Sequence, residues 1–176
     1  RDSSCKIHKG IDTAINLGLK GLAVTDHESL SAHIKGLLHM KKLRDKKQKA
    51  GEPFDFTLIL GNEIYLIDEA EHQNTNTFYH FILLAKDAVG HQQLRELSTQ
   101  AWGRAYSNKG IDRPNTFYKD IEEVVGADPG HLIASTACLG GFLAKKTLAG
   151  DTQAVVSFCA WCEKQFGTGN FFIEMQ

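Results

Sequence analysis

The sequence predicts an α/β protein in which strands and helices alternate along the chain. Short apolar runs of strand type are separated by segments whose apolar residues recur at helical spacing. The links between these segments are short, which favours a parallel sheet. Several apolar runs end at polar residues, as Leu22-Ala23-Val24 ends at Thr25-Asp26-His27. Strand ends that bring His, Glu and Cys side chains together indicate a metal site on an α/β barrel.

The composition is that of an ordinary folded domain, and we expect residues 1–176 to form a single domain. The net charge is −1, so bulk charge favours neither nucleic acid nor a membrane as a partner. No apolar run approaches the ~20 residues of a membrane span. The 4 cysteines fit a reducing compartment, and we expect a cytoplasmic location. Because the chain starts at Arg1 without a methionine, we expect a piece of a longer protein, truncated at both ends.

In the first half of the chain, a helix is predicted near residues 7–18 and a strand at 22–24. Ser29 or Ser31 is expected to cap the next helix, whose apolar stripe is expected to consist of Ile34, Leu37, Leu38 and Leu43. The longest strand-like run covers residues 56–67 and is expected to be interrupted by Gly61-Asn62-Glu63. A polar loop at 68–77 then leads to a strand at 78–85.

In the second half, the pattern predicts a similar alternation. Helices are expected at residues 88–102, 117–125 and 140–148, and a last helix carries the stripe Val155, Phe158, Cys162 and Phe166. Strands are expected at 131–135 and 170–174, and residues 106–115 are rich in turn formers.

Two local patterns have a plain and a functional interpretation. The basic run at residues 41–49 suits either a solvated helix end or a nucleic-acid contact, and we favour the helix end. Cys159 and Cys162 form a Cys-x-x-Cys pair within the last helix, without a second pair for zinc or a preceding strand. We therefore expect the pair to pack in the core.

Four residues at strand ends are candidates for a metal site: His27, Glu63, His80 and Cys138. Imidazole, carboxylate and thiolate groups all bind divalent transition metals. His80 precedes its apolar run, so either that strand runs in the opposite direction or its register differs. Asp26 either orients the His27 ring or caps a turn.

Each candidate also has an alternative without a metal. His27 alone fits a buried histidine bonded to the backbone, Glu63 fits a salt bridge to a lysine, and Cys138 fits a small buried hydrophobic residue. Their occurrence together favours the metal site. The remaining histidines are expected at the surface or in local hydrogen bonds, and they are His8, His33, His39, His72, His91 and His131.

Taken together, these motifs resemble a known family. The matching segments are Leu22-Ala23-Val24-Thr25-Asp26-His27, Ile59-Leu60-Gly61-Asn62-Glu63-Ile64-Tyr65, Tyr79-His80-Phe81-Ile82-Leu83-Leu84-Ala85-Lys86, Leu132-Ile133-Ala134-Ser135-Thr136-Ala137-Cys138-Leu139-Gly140-Gly141 and Phe171-Phe172-Ile173-Glu174-Met175-Gln176. They are similar to the amino-terminal polymerase-and-histidinol-phosphatase (PHP) domains of bacterial DNA polymerase III alpha subunits. The resemblance runs through nearly the whole chain, in order.

The resemblance implies a distorted, TIM-like β/α barrel of seven strands with up to three divalent ions of zinc, manganese or iron. It implies that the ligands include Asp2, His27, Glu63, His80 and Cys138, of which His27 and Glu63 are expected to be catalytic. Further family ligands, a His-x-His and an Asp-x-His, are expected outside the chain. The glycine that usually follows the Thr-Asp-His motif is replaced here by Glu28.

For function, the resemblance implies a metal-dependent phosphoesterase within a DNA-directed DNA polymerase, acting as a 3′–5′ exonuclease in replication. Its partners would be the 3′ end of DNA and other subunits of the replicative polymerase, with no membrane. Two alternatives stay open. The domain is either catalytically silent and supports the polymerase and its exonuclease partner, or it is a phosphoesterase of the histidinol-phosphatase type that acts alone.

Overall fold

The structure is a computed structural model that describes residues 5–73 and 77–175. Its first half contains helices α1 (Ile7–Asn16) and α2 (Ser31–Lys49) and strands β1 (Gly21–Val24), β2 (Thr57–Ile67) and β3 (Tyr79–Ala85). The second half contains helices α3 (Ala88–Gly103), α4 (Tyr118–Val124), α5 (Phe142–Leu148) and α6 (Thr152–Phe166). Its strands are β4 (Tyr106–Asn108), β5 (Ile111–Arg113), β6 (Thr116–Phe117), β7 (Leu132–Ser135) and β8 (Phe171–Phe172).

The main sheet follows the order β1-β2-β3-β7-β8, with β6 paired to β2. Strands β1 and β6 run parallel to β2, and β8 runs parallel to β7. Strand β3 is antiparallel to both β2 and β7. The predicted α/β class is confirmed, and of the two explanations for His80 the reversed strand is correct. In the described part of the chain the strands form an open sheet rather than a closed barrel.

Strand β2 is continuous, so the predicted interruption at Gly61-Asn62-Glu63 is wrong. The polar residues are accommodated because β2 changes its neighbour there: its first half pairs with β1 and its end pairs with β6. A Cβ atom on Gly61 would lie 2.6 Å from the carbonyl oxygen of Leu83. Glycine at this position therefore permits the close approach of β3.

Alternation along β2 and β3 separates two faces of the sheet. The face that carries Ile64 and Leu66 of β2 also carries Phe81 and Leu83 of β3, and all of these side chains are buried. They form the main hydrophobic core with residues of α3, α4, α5 and α6. A second, smaller core lies between α1, α2 and the segment before β2, and it includes Ile11, Met40 and Phe56.

Helix α2 does not bury the stripe that the sequence predicts. Ile34, Leu37 and Leu38 are 63%, 42% and 58% exposed, whereas its buried residues are His33, Gly36 and Met40. The helix approaches the sheet through a small residue, because a Cβ atom on Gly36 would lie 2.8 Å from Cδ2 of Leu58. The prediction holds for Leu43, which packs against the smaller core. Neither serine caps the helix, because its N-cap is Leu30.

The other predicted helices and strands are confirmed, with small changes at their ends. The predicted polar loop at 68–77 contains a short 3-10 helix, Glu69–Glu71, and residues 74–76 of it lie outside the described residues. Residues 106–113 form a hairpin of β4 and β5 where the sequence indicates only turns, and β6 was not predicted. Cys162 is fully buried and Cys159 packs against the main core, which confirms the core interpretation of the Cys-x-x-Cys pair. The basic run forms the largely exposed end of α2, with Lys46, Lys47 and Lys49 in its last turn. Within residues 5–73 and 77–175, no helix has the length and apolar character needed to cross a membrane.

Candidate metal centre

Three of the predicted residues, His27, Glu63 and His80, meet at one place on the sheet. Each offers one ligand atom, and these atoms all lie within 4.8 Å of one another. His80 Nδ1 lies 2.8 Å from Glu63 Oε1, and His27 Nδ1 lies 3.9 Å from Glu63 Oε2. The two imidazole rings are 5.2 Å apart between centroids. The carboxylate therefore lies between two imidazoles.

Backbone pairing explains how the three residues converge. His27 continues the direction of β1 and forms an isolated parallel bridge with Glu63. The N–H of Glu63 donates to the carbonyl of Asp26 at 3.1 Å. On the other side of β2, His80 lies directly opposite Tyr65 in the antiparallel register. Because β3 runs antiparallel to β2, the beginning of β3, with His80, lies beside the end of β2.

Cys138 lies at the edge of this group. Its Sγ is 3.4 Å from His80 Nδ1, and the backbone N–H of Gly140 donates to the same sulfur at 3.3 Å. The loop is tight, because Ala137 has a φ of 56° and Gly141 forms a bridge with His80. A Cβ atom on Gly141 would lie 2.2 Å from the carbonyl oxygen of Thr136. Glycine at this position lets the loop hold the thiol against the imidazole.

Glu28 is the residue that replaces the usual family glycine, and it adopts a φ of 43° in the left-handed region. Its carboxylate is buried and accepts hydrogen bonds from the Tyr65 N–H at 2.7 Å and the Thr116 hydroxyl at 3.0 Å. Burial raises the pKa of this carboxyl group to about 7. Glu28 therefore fills the gap between the end of β1 and the start of β6 along the edge of β2.

His33 and His91 form a pair that sequence reasoning missed. His33 Nε2 donates to the carbonyl of Gly61 at 2.9 Å, so its Nδ1 accepts from His91 Nε2 at 3.2 Å. Burial lowers the pKa of both imidazoles, which favours the neutral forms that this arrangement needs. The pair joins α2 and α3 to β2 close to Glu63. No sequence pattern signals it, because the two histidines are far apart in the chain.

Tyr65 and Phe78 are two further residues at the site. Tyr65 lies two positions after Glu63 and opposite His80, so alternation along the strands places these three on one face. Phe78 lies two positions before His80, just outside β3, and its ring stacks on that of His80. The Tyr65 ring is 5.5 Å from His27 and 5.3 Å from His80 between centroids. Tyr65 and Phe78 could have been predicted from the sequence, because each lies two residues from a predicted ligand, Glu63 or His80.

Of the predicted residues, Asp26 is not a member of this group. Asp2 lies outside the described residues. Asp26 is exposed, its backbone carbonyl accepts from Glu63, and its charge raises the pKa of His33 against the larger effect of burial. An orienting role for its carboxylate on His27 stays a prediction.

The donor set fits a divalent transition metal. Two imidazoles and a carboxylate within mutual reach are the ligands that zinc, manganese and iron accept, and a thiol lies next to one of them. A carboxylate between histidines also satisfies the rule that a partly buried charge needs partners. The fold and site together define an α/β protein with a candidate metal centre on one face of its sheet.

Comparison with known proteins identifies the family. A model of the PHP domain matches residues 1–176, and the chain belongs to this family. The family resemblance drawn from the motifs is thereby confirmed.

The relatives are much longer proteins. The chain is 41% identical over 195 aligned residues to a DNA-directed DNA polymerase of Bacillus phage SPbeta, which covers 99% of the chain and 15% of that protein. It is 28% identical to a DNA polymerase III subunit alpha of Treponema pallidum, covering 99% of the chain and 14% of that protein. The chain therefore spans about 15% of the length of the curated relatives that it matches.

A solved structure described as a metal-dependent phosphoesterase from Bifidobacterium adolescentis also matches. It has a TM-score of 0.33 and 19% sequence identity, over 58% of this chain and 31% of that chain.

Proposed function

We propose that this chain is the PHP domain of a replicative DNA polymerase and that it hydrolyses phosphodiester bonds at the 3′ end of DNA with the help of divalent metal ions. The observation that carries the proposal is the convergence of His27, Glu63 and His80 within 4.8 Å. The 3′-end specificity is part of the proposal, and the names of the relatives, which are DNA polymerases, support it. An exonuclease in such a protein would remove nucleotides from the strand that the polymerase extends.

The proposed metal ligands are His27, Glu63, His80 and Cys138, with Asp2 as a further one. Bound metal would polarise a phosphoryl oxygen and lower the pKa of a bound water, which are the two tasks of phosphoester hydrolysis. The protein residues supply position. Glu63 contacts His80 Nδ1 and fixes the orientation of that ring, and the backbone N–H of Gly140 donates to the Cys138 sulfur and holds it beside His80.

The chain as a whole is proposed to form one domain, residues 1–176, that works within the replication machinery of the cytoplasm. Other subunits of the replicative polymerase would be its protein partners, as the names of the relatives suggest. The native ion is proposed to be zinc, manganese or iron, because mixed imidazole, carboxylate and thiolate ligands accept all three.

The test uses the complete protein and variants of the metal centre. We expect His27→Ala and Glu63→Gln to lower the metal content per chain, measured by elemental analysis, because each change removes a ligand. Hydrolysis of a 3′-labelled DNA strand should fall at least ~100-fold. The control is Glu96→Gln, which removes an exposed carboxylate on α3 and should change neither quantity.

The outcomes separate the proposal from its alternatives. Unchanged metal content in both variants would remove His27 and Glu63 from the ligand set. A protein that binds metal and cleaves neither DNA nor histidinol phosphate would have a supporting role only. Cleavage of histidinol phosphate without cleavage of DNA would indicate a small-molecule phosphatase.

A further inference from the structure

An aromatic wall stands beside the metal centre, formed by Tyr65 of β2 and Phe78, which lies just before β3. The two ring centroids are 4.8 Å apart. Phe78 stacks on His80 with an interplanar angle of 12° and a centroid distance of 5.9 Å. Tyr65 in turn contacts the rings of both histidines of the metal centre. The wall therefore begins at the candidate ligands and extends away from them along the same face.

Core packing does not explain this wall. The buried residues of β2 and β3, such as Ile64 and Phe81, point to the opposite face of the sheet. Tyr65 and Phe78 belong to neither of the two hydrophobic cores among the described residues. Both side chains are only partly buried. Two neighbouring aromatic rings that remain accessible beside a polar site are suited to contact a ligand.

We propose that Tyr65 and Phe78 form a stacking platform for the terminal base of a nucleic-acid strand whose last phosphodiester lies at the metal centre. This assignment rests on the proposed function, because the platform would bind the terminal base, which is a part of the substrate that the metal centre does not contact. Aromatic side chains stack on every base, since each base has a flat π surface. The platform would therefore fix the strand end without selecting its sequence, as removal of successive nucleotides requires.

Geometry also explains why the platform consists of these two residues. Tyr65 lies opposite His80 in the sheet, and the Phe78 ring contacts the rings of both residues. A base stacked on them is thereby placed next to Glu63 and the two imidazoles. The sheet itself sets the distance between base and phosphate, because four of the five residues are fixed by the pairing of β2 with β3 and with His27. The fifth, Phe78, lies just before β3 and stacks on His80.

Binding is tested with the complete protein, zinc, and a cleavage-resistant DNA strand that carries 2-aminopurine as its 3′-terminal base. We expect fluorescence quenching on binding, because the base stacks on the wall. Tyr65→Ala and Phe78→Ala should abolish most of the quenching and weaken binding roughly 5-fold or more. Tyr65→Phe keeps the ring and should keep the quenching. A strand with 2-aminopurine at an internal position is the control for general binding.

Cleavage separates this inference from the proposed function. On a normal 3′ end, Tyr65→Ala should raise KM roughly 5-fold or more. A strand that ends in an abasic nucleotide has no base to stack, so the wild-type protein and Tyr65→Ala should cleave it equally. If the wild-type protein cleaves DNA but quenching and KM are unchanged in both alanine variants, the platform is wrong and the proposed function stands. If the wild-type protein cleaves no DNA but quenching depends on Tyr65, the platform stands and hydrolysis fails. Absence of quenching in the wild-type protein would overturn the platform.

Discussion

The two faces of the β2–β3 pair are built from alternate residues of the same strands and have opposite properties. One face carries Phe81 and Leu83, which are buried against the helices. The other carries Glu63, Tyr65 and His80, which are partly buried and close together. One residue of displacement along either strand would exchange the two sets.

This difference shows how a rigid core supports the candidate metal centre. The buried face fixes the position of each strand, since close-packed side chains permit little movement. The site face then holds its imidazoles and carboxylate at distances that the sheet dictates. We therefore expect substitutions on the core face to change stability most, and substitutions on the site face to change metal and ligand binding most.

The largest effect is expected for Phe81→Ala on the core face. Phe81 is 1% exposed and packs against Phe158, Phe166 and Phe171. Loss of the ring should lower the free energy of unfolding by about 3–5 kcal/mol, measured by chemical denaturation with a chelator present.

The matched variant on the other face is Tyr65→Ala. It should lower the free energy of unfolding by less than half as much as Phe81→Ala does. Phe81→Leu should cost about 1 kcal/mol and keep enough folded protein to measure its metal content. Equal losses for Phe81→Ala and Tyr65→Ala would remove the distinction between the two faces.

A smaller loss of stability, with a specific loss at the site, is expected for Gly141→Ala. The new Cβ atom would lie 2.2 Å from the carbonyl oxygen of Thr136 and 3.2 Å from that of His80. Because both contacts are with backbone atoms, the loop must move and carry Cys138 away from His80. We expect the free energy of unfolding to fall by about 1–3 kcal/mol.

Cobalt substitution reports on the thiol directly. The sulfur-to-cobalt charge-transfer absorption of the wild-type protein should be weakened or absent in Gly141→Ala. The control is Gly103→Ala at the end of α3, where a Cβ atom would meet nothing within 4 Å. An absorption band that persists in Gly141→Ala would argue against Cys138 as a ligand.

The smallest effect is expected where β7 begins, beside the end of β3 that is far from His80. His131 Nδ1 lies 2.7 Å from Asp87 Oδ2, and this hydrogen bond raises the pKa of His131 above its ordinary value of 6.5. The folded protein binds the proton more tightly than the unfolded chain. The stabilisation is therefore complete below the ordinary pKa and is lost as the pH rises through the raised value.

Denaturation at two pH values checks this expectation. His131→Gln should lower the free energy of unfolding more at about pH 5.5 than at about pH 9. In an Asp87→Asn background the same substitution should show no such pH dependence, because the partner is neutral. A pH dependence that survives in that background would assign the effect to Asp128, which lies 3.5 Å from His131 Nε2.

Local sequence patterns were sufficient to predict most elements and several site residues. In α6 the apolar stripe is correct, because helical spacing of Phe158, Cys162 and Phe166 leaves one face to bury. His27 and Glu63 were recognisable because each follows an apolar run, although only His27 lies beyond the end of its strand and Glu63 lies within β2. The same reasoning failed in α2, where a small face with Gly36 and His33 packs inward and the larger residues remain exposed.

What the sequence by itself determined is the class of fold, the alternation that gives each strand two faces, and the residues able to bind metal. Only the tertiary structure decided that β3 runs antiparallel, which places His80 opposite Tyr65 and brings its ring to Glu63. It also decided that Glu28 is buried at the edge of β2. The physical reason is that periodicity is a local property, whereas strand direction and the choice of packed face depend on contacts between distant segments.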